Sequence, residues 1–102
     1  MPTLNDNLNS FFSPRLSVNI TTATTTVVKS GSGNLKAIII NSLGTVASVV
    51  TVYDNTAASG TKLGTINSLA LYGSFDYNVP FANGLTIVTT GTVAPDITVV
   101  YN

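Results

Sequence analysis

The chain contains no histidine, cysteine, glutamate or tryptophan. Its charges are four basic and four acidic side chains, which cancel to a formal net charge of zero. Each absence removes a class of chemistry. Without cysteine there is no disulfide framework. Without cysteine and histidine together, the usual ligand sets of zinc and iron–sulfur sites are gone. Without histidine, a serine or threonine nucleophile loses its commonest base. Charged residues make up 8% of the chain, against about 25% in an ordinary soluble domain. The longest apolar run, Ala37 to Ile40, is far too short to span a bilayer. Arg15, Lys29, Lys36 and Lys62 are scattered along the chain, so they build no basic patch for nucleic acid. The expectation is a protein with no enzymatic activity, cofactor, metal, nucleic-acid or membrane partner. Its work falls to its surfaces.

What the chain does have is threonine, serine, asparagine and β-branched apolar residues. With 102 residues it reads as one domain that buries roughly 60–65% of its unfolded surface. Residues 1–16 differ from the rest. MPTLNDNLNSFFSPR is polar, carries Pro2 and Pro14, and lacks the apolar centre of a signal peptide. The segment reads as an N-terminal arm, with one helical turn as its most regular form. Leu4, Leu8, Phe11 and Phe12 are its apolar anchors. Two readings of them stay open: docking on a partner, or capping the domain's own core.

From Ser17 to Asn102 the pattern is β. Thr22 to Val28 holds four threonines and two valines in seven residues, poor helix material because χ1 is restricted. Gly31 to Asn34 predicts a turn. Leu35 to Asn41 predicts a strand buried on both faces at Ile38, Ile39 and Ile40. Ser42 to Thr45 predicts a turn in which Gly44 supplies positive φ. Ala47 to Asp54 predicts a strand with Val50 and Val52 on one face and Thr51 and Tyr53 on the other. Asp54 to Thr61 is a loop. Lys62 to Leu69 predicts a strand with a bulge at Gly64, Leu63 and Thr65 facing away from Ile66. Phe75, Tyr77 and Val79 alternate with Asp76 and Asn78, and Pro80 is expected to end that strand. Leu85 to Thr90 and Ile97 to Tyr101 follow, with Leu85, Ile87, Ile97, Val99 and Tyr101 inward and Gly91 and Pro95 turning between them. Seven or eight strands separated by turn signals predict an all-β fold, an antiparallel β-sandwich or small jelly roll.

Candidate chemistry is thin. The four carboxylates are Asp6, Asp54, Asp76 and Asp96, and no spacing brings two of them together for acid–base work. Asp54 and Asp96 suit Asx side chains that bond their own turns. Asp54, Asn55 and Thr56 fall short of the several oxygen ligands that a calcium loop gathers. Gly31-Ser32-Gly33 lacks the lysine and the helix of a phosphate-binding loop. Tyr53, Tyr72, Tyr77, Asn55 and Asn83 are groups a sugar-binding sandwich would use, although tryptophan, the strongest stacking residue, is absent.

The run Val52-Tyr53-Asp54-Asn55-Thr56-Ala57-Ala58-Ser59-Gly60-Thr61 lies within Val27 to Ile66. That stretch, continued by Ser74 to Tyr101, resembles small β-sandwich virion proteins of tailed phages. The resemblance covers about three quarters of the chain and includes no catalytic signature. It implies a capsid decoration, or cement, protein at the capsid surface of the virion. Its partners would be the major capsid protein and further copies of itself, a trimer being one such homo-oligomer. Leu4, Leu8, Phe11, Phe12, Tyr53, Asn55 and Tyr72 are the residues expected to touch a partner. A tail, neck or fibre component of a phage and a carbohydrate-binding module are the alternatives.

Overall fold

A computed structural model describes residues 15–44, 48–67 and 73–102. They form eight strands: β1 (Leu16–Ile20), β2 (Thr25–Ser30), β3 (Gly33–Ser42), β4 (Val49–Asp54), β5 (Thr61–Asn67), β6 (Gly73–Phe81), β7 (Gly84–Thr89) and β8 (Asp96–Tyr101). No described residue is helical. Two four-stranded sheets result, ordered β1-β8-β3-β6 and β2-β7-β4-β5. Every ladder is antiparallel. The pairs β1·β8, β2·β7, β3·β6 and β4·β5 are those of one long hairpin folded at the β4–β5 loop. The remaining pairs, β3·β8 and β4·β7, roll that hairpin into two sheets. This is jelly-roll topology, the all-β sandwich expected from the strand pattern.

The core lies between the sheets. Leu35, Ile38, Val50, Val52, Leu85, Ile87, Ile97 and Val99 are fully buried. Burying each such side chain stabilises the fold by roughly 1.5–3 kcal/mol. The predicted alternations hold in β4, β6 and β8 because each strand has one face on the core and one turned away.

Several local expectations are corrected. Strand β3 is buried on one face only: Ile38 and Ile40 are buried while Ile39 is partly exposed. Leu35 and Ile38 still both face inward, three positions apart, because the register shifts between Leu35 and Ala37 against both neighbouring strands. On the β6 side Asn78 absorbs the irregularity with φ 49°, a conformation asparagine tolerates better than most residues. In β5 the predicted irregularity beside Gly64 is present: Val52 pairs with Gly64 and Tyr53 with Lys62. The extra residue, Leu63, therefore packs on the core together with Ile66 instead of facing away from it. Pro80 does not end its strand. It pairs with Asn34 inside β6, which is tolerated because β6 is a sheet edge and needs no donor on its outer side. Gly44 is not among the positive-φ glycines. A Cβ there would collide with the Ser48 side chain and lie 2.8 Å from the Val93 carbonyl oxygen. Close approach, not backbone freedom, is the constraint at Gly44.

Candidate functional site

Three loops meet at one end of the sandwich: residues 31–32 between β2 and β3, 55–60 between β4 and β5, and 82–83 between β6 and β7. Asp54, at the end of β4, fastens them. Its Oδ1 accepts the N–H of Asn83 at 2.8 Å and of Gly84 at 3.4 Å. The Ala82 N–H reaches both oxygens, at 3.1 and 3.0 Å. The Gly31 N–H donates to the Asn83 carbonyl at 3.0 Å, which adds the third loop. The amides of Ala82 and then Asn83 hold the Asp54 carboxyl below its ordinary range. Partial desolvation opposes them, and Gly84 adds a smaller push in the same direction.

The loop that follows is held from inside. Asn55 Nδ2 donates to the Ser59 carbonyl at 2.9 Å and its hydroxyl at 3.3 Å. Asn55 Oδ1 accepts the Thr56 N–H at 2.8 Å. The buried Thr86 hydroxyl donates to the Asn55 carbonyl at 2.7 Å. Residues 56–60 are exposed and uncharged. The arrangement presents a neutral loop fastened by its own hydrogen bonds.

A second polar array lies on the outer face of the β1-β8-β3-β6 sheet. Asn19 Nδ2 donates to Asp96 Oδ1 at 2.6 Å and to the Ile97 carbonyl at 2.8 Å. Asn41 Nδ2 reaches the same Asp96 oxygen at 3.2 Å and Thr98 Oγ1 at 2.9 Å. The outer face of the other sheet carries two rows read across β2, β7, β4 and β5. One is Thr25–Val88–Thr51–Thr65 and the next is Val27–Thr86–Tyr53–Lys62, in which Thr86 is buried. Lys62 is the one charge in them.

The residues singled out from the sequence fall in several places. Tyr53 stands half-buried on the outer face of β4, opposite Lys62 and Thr86. Asn55 follows two positions later with its amide engaged inside its own loop. Leu4, Leu8, Phe11, Phe12 and Tyr72 lie outside the described residues, as does Asp6. Tyr77 points into the sandwich, packed on the core and over Gly64, and burial pushes its phenol up. Tyr53 and Tyr77 are therefore on different sides of the β2-β7-β4-β5 sheet and make no common platform. Asp54 and Asp96 do not bond their own turns as expected. They take partners 28 to 77 positions away, which no local pattern signals. Among the described residues there is no pocket and no group of three or more histidine, cysteine or acidic side chains.

Compared with known protein families and with curated proteins, the chain matches none.

Proposed function

We propose that the chain is a non-enzymatic virion structural protein, a decoration protein that binds the assembled phage head and stabilises it. The observation that carries the reading is the outer face of the β2-β7-β4-β5 sheet. Its threonine, valine and tyrosine rows hold one charged side chain, Lys62. Centres of protein–protein interfaces are depleted in charge and enriched in tyrosine. Eight-stranded jelly rolls serve in viral capsid and in lectin domains alike, so the fold alone does not choose between them. The separation of Tyr53 from Tyr77 weighs against the sugar-binding alternative, which needs exposed rings gathered near polar groups. A tail, neck or fibre role shares the same surface and differs in copy number.

The mechanism is thermodynamic. A protein that binds the assembled shell and not its separate subunits stabilises the shell through linkage, site by site. Self-association adds avidity. The arm, residues 1–16 with Leu4, Leu8, Phe11 and Phe12, adds contact area in this reading, toward the roughly 800 Å² per partner of a standard interface. The test is quantitative mass spectrometry of purified particles. A count near one chain per capsid subunit, or a simple fraction of it, supports the reading. A count of about a dozen or fewer moves the chain to tail, neck or fibre, and absence from the particle overturns the virion role.

A further inference from the structure

The four sheet edges of this sandwich are β1 and β6 in one sheet and β2 and β5 in the other. An open edge presents unpaired backbone groups and invites another strand. Proteins block it with bulges, charges and proline. Three edges here are blocked. In β2 the register shifts between Val27 and Lys29, which also brings a charge. In β5 the bulge at Leu63 lies beside Lys62. In β6, Asp76, the positive-φ Asn78 and Pro80 follow one another within five positions.

Strand β1 carries none of these devices. Its five residues, Leu-Ser-Val-Asn-Ile, contain no charge, glycine or proline. Their pairing with β8 is regular from Leu16 to Ile20. Leu16, with its side chain on the same face as Val18 and Ile20, is 50% exposed. Among the described residues no strand pairs with the outer side of β1, and an edge left so while the other three are guarded has a physical meaning if something pairs with it.

We propose that β1 is a self-association edge, on which a second copy of this chain adds its own β1 antiparallel about a twofold axis at Val18. The occupant follows from the residues. Such pairing sets Val18 against Val18 of the second copy, Leu16 against Ile20, and Ser17 against Asn19. Apolar therefore meets apolar on the core side and neutral polar meets neutral polar on the outer side. No like charges stand directly opposite each other, the arrangement that destabilises such pairs. A strand that matches itself when reversed is what a twofold interface requires. A chain of zero formal net charge approaches its copy without net repulsion. The two sheets would merge into one of eight strands, with backbone hydrogen bonds supplying the affinity. The proposal needs only this chain and does not rest on the virion reading.

Two measurements on the full chain test it. Sedimentation velocity over a wide concentration range is expected to show a reversible doubling of mass. Directly opposed residues of an antiparallel pair lie about 4.5–5.5 Å apart at Cα, within the roughly 4.4–6.8 Å that a disulfide spans. The native chain has no cysteine, so Val18→Cys can only bridge to its twin. It should form a reducible dimer under mild oxidation. Thr65→Cys, exposed on the other sheet, should pair reversibly as the native chain does but form little disulfide-linked dimer. A single monomer mass at every concentration overturns the proposal, and that is the result if the chain's own N-terminal residues occupy the edge. A trimer overturns it as well. So does a dimer in which Thr65→Cys bridges as readily as Val18→Cys.

Discussion

The carboxylate of Asp54 accepts the backbone N–H of Asn83 at 2.8 Å, across 29 positions of sequence. With Ala82 and Gly84 it draws three successive amides onto one side chain. The β6–β7 turn is thereby locked to the end of β4. Replacing Asp54 with alanine leaves those amides to water and loosens two loops at once. Thermal unfolding followed by circular dichroism should show Asp54→Ala melting below the native chain, with Asp54→Asn between them. Equal melting temperatures for all three would mean that the clamp contributes nothing.

The same clamp makes a pH prediction. The folded carboxyl titrates below its ordinary value of 3.8. Between the two values the unfolded chain holds more protons than the folded one, so stability falls as pH falls. The contribution is complete above the ordinary value and disappears as pH drops through the folded one. Melting temperatures recorded from neutral pH downward should therefore converge for the native chain and Asp54→Asn below pH 3.8. Curves that stay parallel into acid would count against the assignment.

Gly64 and Tyr77 face each other across the sandwich. A Cβ on Gly64 would sit 2.7 Å from both the Tyr77 Cε1 and its hydroxyl oxygen. The ring is partly buried and packed on the core, so retreating from a Cβ means giving up core contacts. Gly64→Ala should cost about 1–3 kcal/mol, the usual penalty of overpacking. Combining it with Tyr77→Leu should cost less than the sum of the single changes, because the two sites share one space. Additive losses in chemical denaturation would contradict the contact.

Thr89 holds the β1–β2 connection. Its hydroxyl donates to the Thr22 carbonyl at 2.6 Å and accepts the Thr24 N–H at 3.1 Å. Thr89→Val keeps the shape and removes both bonds, for a loss of about 1 kcal/mol. Thr89→Ser should recover part of it. The urea midpoint should fall in the valine variant with the slope unchanged. An unaltered midpoint would show that water replaces the hydroxyl without cost.

The β-character, most strand positions and the inward sets of β4, β6, β7 and β8 were legible in the sequence. Each depends on a period of two and on β-branched residues, and a one-residue slip would turn every apolar side chain to solvent. Val50 and Val52, Ile87, Ile97 and Val99 are buried as that period requires. The low charge of the faces was legible too, since composition alone sets it. The candidate site was legible only in part. Tyr53 and Asn55 could be singled out because they border a recognisable loop, but Asn55's engagement within that loop could not.

What the sequence by itself determined is the class of object: an all-β domain with neutral, hydroxyl-rich faces. Local propensity and alternation act within a few residues, and they suffice for that. Tertiary structure decided the rest. It decided that Pro80 is tolerated, because β6 lies at an edge. It decided that Leu63 joins Ile66 in the core, because the bulge shifts the phase of β5. It decided that Asp54 finds Asn83 and that Asp96 finds Asn19. These outcomes depend on which strands become neighbours. That choice is made by packing the whole hairpin into two sheets, between residues too far apart in the chain for any local pattern to connect.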